Sequence, residues 1–128
     1  MGQARNEFDS GEGLASHVSR GRILLEQWNT LIAQAAEFAE EVEFEGYRVY
    51  AVNASRMFRS DLGHMLADKK GPFAIIYYSY EGEWHYSLRG DGSIDLTEIV
   101  KKYGGSGHHD AAAFDLPADS PQPFRRLS

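Results

Sequence analysis

Phe73-Ala74-Ile75-Ile76-Tyr77-Tyr78-Ser79-Tyr80 is an unbroken apolar and aromatic run. Its length and its β-branched and aromatic content predict a central strand, because such a strand needs cover on both faces. Glu81-Gly82-Glu83 is a turn signal, and Trp84 to Arg89 returns as the next strand. Upstream, Val42 to Phe44, Glu45-Gly46 and Tyr47 to Val52 read as a hairpin, with Gly46 supplying the turn. Between the two strand pairs, Leu62, Met65 and Leu66 form the apolar side of a helix capped by Ser60 or Asp61. Lys69-Lys70-Gly71-Pro72 closes it, since the residue before a proline avoids helix. Gly90-Asp91-Gly92 turns the chain again. Leu96, Ile99 and Val100 then make a short helix capped by Ser93 or Asp95 and stopped at Gly104. Phe114 to Pro117 reads as a last short strand. This order predicts an α/β fold, a mixed sheet of about five strands with helices packed on one face.

Two flanking segments differ in composition. Residues 1–19 are polar and rich in Gly and Ser, and read as a flexible tail or linker remnant. From Gly21, Leu24, Trp28, Leu31, Ala35 and Ala39 recur at helical spacing, with Ile23 and Ile32 widening the stripe. That helix either packs on its own domain or is a connector or oligomer helix carrying Trp28 at an interface, such as that of a homodimer. Residues 118–128, rich in Pro and Ser, read as a mobile C-terminal tail. The domain proper is therefore expected over residues 20–117.

The chain of 128 residues has no cysteine, which excludes disulfides, thiolate metal sites and cysteine nucleophiles. A formal net charge of −6 gives no bulk attraction for nucleic acid or an anionic membrane. No apolar run is long enough to span a bilayer, and the N-terminus has no apolar h-region. A cytoplasmic protein with no membrane partner is the expectation.

The chemistry is concentrated in Tyr103-Gly104-Gly105-Ser106-Gly107-His108-His109-Asp110-Ala111-Ala112-Ala113-Phe114. Glycines permit positive φ and close approach of a ligand to the backbone. Such a loop can direct several N–H groups at one anion, and a helical turn over His109 to Ala113 would add its positive end. Around it Arg89, Lys101 and Lys102 balance Asp91, Asp95 and Glu98 in an otherwise acidic chain. Arg89 precedes a Gly-Asp-Gly turn and offers a guanidinium for bidentate phosphate binding; the plain alternative is a solvated strand-end arginine. Gly104 has a second duty as the helix terminator. His109 reads as solvated, and Lys101 and Lys102 as a solvated helix end. Tyr77, Tyr78, Tyr80, Trp84 and Tyr86 read as core and cross-strand pairs, with base stacking open to any that face outward.

Ser87-Leu88-Arg89, then Gly92 to Ile99, then Gly104-Gly105-Ser106-Gly107-His108 and Ala111-Ala112-Ala113-Phe114 together resemble the DHH-associated domain. This is the C-terminal, substrate-binding half of DHH phosphoesterases. The likeness extends more weakly to Val52-Asn53 and Asp61-Leu62-Gly63. Three positions depart from the family pattern: Ser106 stands for a glycine, Gly90 for a serine and Ala113 for a glycine. The resemblance implies that Arg89, Gly104, Gly105, Ser106, Gly107 and His108 bind a substrate phosphate. It also implies that catalytic residues and a divalent metal, manganese, belong to an N-terminal DHH domain acting in cis or in trans. No Asp-His-His occurs in the chain. No catalytic or metal-binding residue is therefore expected in it: His17, His64 and His85 are scattered, and no His-x-x-x-His spacing is present. The implied substrate is a nucleotide or short oligonucleotide. A non-enzymatic nucleotide-binding or oligomerisation module is the alternative.

Overall fold

The structure, a computed structural model, describes residues 11–127, with side chains described from residue 20. The chain divides into two compact units, one ending at Ala33 and one running from Gln34. The first consists of helix α1, Gly11–Ala36, whose last residues enter the second. The helix begins well before Gly21, so the expected tail over residues 1–19 is helical from Gly11; residues 1–10 lie outside the described part. Ala39 falls beyond the helix end.

The second unit is one mixed sheet. Its strands are β1 Glu40–Phe44, β2 Tyr47–Asn53, β3 Phe73–Tyr80, β4 Glu83–Gly90, β5 Ser106–His108, β6 Ala111–Pro117 and β7 Arg125–Arg126. They lie in the order β5-β6-β4-β3-β2-β1-β7, and only β2 and β3 run parallel. That parallel pair requires a crossover, supplied by a 3-10 turn at Arg56–Phe58 and helix α2, Arg59–Lys69. Both tight hairpins use paired positive φ angles, Glu45 and Gly46 at 50° and 84°, Glu81 and Gly82 at 51° and 78°. These match the turn type whose twist suits two-residue hairpins.

β3 is central, as its apolar run predicts, and it separates two differently covered faces. On one, Phe44, Phe73, Tyr86, Leu88 and Phe114 join Leu96 and Val100 of helix α3, Leu96–Val100, in the main core. Burial of each such side chain is worth about 1.5–3 kcal/mol. The Phe114 ring stacks on Tyr103 at 4.4 Å and on Tyr86 at 5.0 Å. On the other face α2 lies against β3 and β4 and buries Leu62 and Leu66. The helices thus cover opposite faces, not one. α3 is capped by Asp95, whose Oδ1 accepts from Thr97 N at 3.0 Å, and its 3-10 extension Lys101–Tyr103 ends at Gly104, φ 77°. At α2 the expected caps differ: Phe58 takes the N-cap position with no side-chain cap, and Ser55 caps the preceding 3-10 turn.

Two of the seven strands exceed the expected five. β5 lies inside the glycine loop. β7 lies in the segment expected as a mobile tail, where Arg125 and Arg126 pair with Glu43 and Val42 and Phe124 is buried in the core. Salt bridges from Arg125 to Glu43 and from Arg126 to Glu40 hold this edge. Residues Ala111 to Ala113 are strand and not a helical turn, so no helix N-terminus follows the loop.

Candidate functional site

β4 and β6 are paired in register, Arg89 opposite Ala111, Ser87 opposite Ala113 and His85 opposite Asp115. Side chains alternate along a strand, so with Leu88 and Tyr86 in the core, Arg89, Ser87 and His85 share the face that carries α2. β5 extends this face, with Ser106 opposite Ala113 and His108 opposite Ala111. Ala111 and Ala113 therefore lie on this face between β4 and β5, whereas Ala112 points into the main core. Small side chains there leave room above the sheet.

That room is a cavity of about 240 Å³ lined by Arg59, Tyr78, Ser87, Arg89, Ser106 and Gly107 over the alanines. Arg59 is the first residue of α2 and reaches the cavity from across the sheet face. Arg89 Nε is buried and finds no acceptor among the described residues. An unpaired guanidinium N–H in a buried setting is costly unless an acceptor meets it. Burial, and then the charge of Arg59, depress the Arg89 pKa, with Asp110 and Tyr78 opposing. Arginine stays charged under such shifts. The cavity is a positive pocket, lined by two arginines and by hydroxyl side chains with no carboxylate among its lining residues. It suits an anion and does not suit a cation.

A second cavity, about 360 Å³, adjoins it through shared Ser106 and Ala113 and continues to Gly104, Gly105, His85 and Asp115. Of the residues singled out from sequence, Arg89, Ser106 and Gly107 meet at the first cavity, and Gly104, Gly105 and Ser106 at the second. The N–H of Gly104 donates to Lys101 O and that of Gly105 to Val100 O. These two amides terminate the α3 segment, so the glycines shape the wall and do not form an open nest of donors. His108 is exposed on β5, on the arginine side by register, and lines neither cavity. His109 is tied to the turn, its Nε2 within 3.0 Å of Gly92 O.

Sequence reasoning missed Arg59 and the pairing of His85 with Asp115, and it left open which of the strand aromatics face outward. A helix-terminal arginine carries no motif, and the pairing depends on strand register. Of the aromatic residues, Tyr77, Trp84 and Tyr86 face the core, whereas the Tyr78 and Tyr80 rings lie beside His85 at 5.2 and 5.8 Å.

No protein-family model and no curated protein matches the chain. Solved structures do. A pGpG-specific phosphodiesterase, PggH from Vibrio cholerae, superposes with a TM-score of 0.54 at 12% identity, over 77% of this chain and 36% of that one. The likeness is one of fold. An uncharacterized protein from Helicobacter pylori G27 matches at a TM-score of 0.46 and 18% identity, over 73% of this chain and 26% of that one. The chain therefore spans about a quarter to a third of these neighbours. Among the described residues no helix is long and apolar enough to cross a membrane.

Proposed function

We propose that this chain is the substrate-binding half of a DHH-type phosphoesterase, holding the phosphate of a nucleotide or short oligonucleotide. The observation that carries the reading is the buried, acceptor-free Nε of Arg89, in a residue that lines one cavity together with Arg59. A phosphate oxygen would satisfy that donor, and a second would occupy the guanidinium fork. Arg59 would neutralise further charge, and the Ser87 and Ser106 hydroxyls would add neutral donors. The resemblance in the Ser-Leu-Arg strand and the glycine segment supports the same substrate class. The fold shared with a pGpG-specific phosphodiesterase agrees with it.

On this reading the chain supplies orientation and charge stabilisation, which act without chemistry of their own. Hydrolysis belongs to a DHH domain joined to it or met in trans, in a cytoplasmic enzyme. Metal ions there, manganese by the resemblance, would activate water and stabilise charge on the phosphate. The arginine cavity is no place for them, since its lining offers no anionic ligand.

Titration of the full chain with AMP and with a dinucleotide, by calorimetry, tests the proposal. Wild type binds, and Arg89→Ala loses about 10- to 100-fold in affinity, the loss of charge-assisted hydrogen bonds. Equal affinity in both proteins contradicts it. The chain alone shows no manganese-dependent hydrolysis; turnover by the purified chain would remove the two-domain part of the proposal.

A further inference from the structure

A second cluster on the same sheet face is not used by the phosphate reading. Glu83 and His85 are two residues apart on β4, so their side chains project from one face. Asp115 is the cross-strand partner of His85 on β6. One oxygen from each carboxylate and one imidazole nitrogen all lie within 4.8 Å of one another. His85 Nδ1 and Asp115 Oδ1 are already in direct contact.

We propose that Glu83, His85 and Asp115 bind one first-row divalent cation, with zinc preferred over manganese. Bonds of about 2.0–2.2 Å in a tetrahedral set place donors roughly 3.3–3.6 Å apart, so Glu83 would close on the ion while the direct His85–Asp115 contact opens to admit it. One imidazole and two carboxylates form a mixed nitrogen and oxygen set that first-row ions favour, and affinity rises from manganese towards zinc. Two further observations bear on the site. Tyr78 stacks on the His85 ring at 5.2 Å and 21°, and Tyr80 lies at 5.8 Å, which restricts the imidazole orientation. The cavity of about 360 Å³ opens on His85 and Asp115, so the remaining coordination positions face a space that water or a ligand oxygen can enter. Three protein ligands with open positions is the arrangement of sites that exchange ligands, as opposed to closed structural ones. The proposal stands without the phosphate reading.

Calorimetric titration of the metal-stripped full chain with zinc chloride and with manganese chloride tests it. One equivalent of zinc binds, more tightly than manganese. Asp115→Asn and Glu83→Gln each weaken binding by at least about tenfold, and His85→Ala removes it. His64→Ala, an exposed position on α2, leaves it unchanged. Glu83 is exposed at the strand end, so Glu83→Gln gives a readout that loss of folding does not confuse. No zinc binding at millimolar concentration overturns the proposal. So does binding that Glu83→Gln and Asp115→Asn leave at wild-type strength; the His85–Asp115 contact is then a cross-strand pair and nothing more.

Discussion

Gly63 on α2 lies directly against Arg89 on β4: a Cβ added at Gly63 would sit 2.5 Å from Arg89 Cγ and 2.6 Å from its Cβ. The missing side chain lets the helix approach the strand at the arginine. It also fixes where the guanidinium stem runs before it enters the cavity.

Alanine in place of a helical glycine ordinarily stabilises by about 1 kcal/mol. Gly63→Ala gains that term and loses more, because the atoms it meets are close to the Arg89 backbone and cannot swing aside. The melting temperature falls, as expected for overpacking of about 1–3 kcal/mol. Nucleotide affinity drops with it, by about tenfold for one displaced charge-assisted hydrogen bond. Thermal melts and calorimetry on the same protein check both. A rise in melting temperature with affinity unchanged would show that the contact does not position Arg89.

Gly105 is a different case. A Cβ there would lie 2.2 Å from Ala113 O and 2.7 Å from Phe114 Cβ. Backbone carbonyls in a paired strand do not move cheaply, so Gly105→Ala must push β5 away from β6. The expected result is a loss of about 1–3 kcal/mol, with amide protons of Ser106 to His108 exchanging faster than in wild type. Hydrogen exchange followed by NMR reads this directly. Unchanged protection would mean that the glycine segment is not wedged against β6.

Much of the fold follows from pattern. The Phe73–Tyr80 run, the turn glycines and the Asp95 cap have local physical causes, and they mark β3, the hairpins and α3. β5 and β7 were not legible, since two- and three-residue edge strands carry no periodicity and owe their pairing to tertiary neighbours. Ala111 to Ala113 misleads for a related reason: alanine favours helix locally, yet here Ala111 and Ala113 leave room on the cavity face beside β4 while Ala112 packs in the core. At the site, Arg89, Ser106 and Gly107 were visible in two short motifs, Ser87-Leu88-Arg89 and Gly104-Gly105-Ser106-Gly107-His108. Arg59 and Asp115 were not, because they reach the face through α2 packing and strand register, which sequence spacing does not encode.

Glu45 at the first hairpin accepts from Lys102 Nζ at 2.7 Å and from the Tyr103 hydroxyl at 2.6 Å. The Lys102 hydrogen bond first, and then that of Tyr103, hold its carboxyl below the usual carboxylate range. Burial and then Glu45 push the Tyr103 hydroxyl up. A depressed folded-state value means that the Glu45 contribution is fully present above about pH 4.3, the ordinary glutamate value, and is lost as pH falls through the lower folded value. Glu45→Gln therefore lowers stability by about 1 kcal/mol at neutral pH, and the gap from wild type narrows in acid. Urea melts at neutral pH and at about pH 3 check this. A gap that widens in acid would contradict the assignment.

The central claim is that Arg59, Arg89 and the glycine segment form one phosphate-binding surface. The most direct measurement is a 15N-edited NMR titration of the full chain with AMP, against adenosine as the phosphate-free control. The account predicts saturable shifts at the Arg89 side-chain Nε–H and at the Ser106 and Gly107 amides, produced by AMP and absent with adenosine. An Arg89 Nε–H signal unmoved by saturating AMP, or moved equally by adenosine, would contradict it.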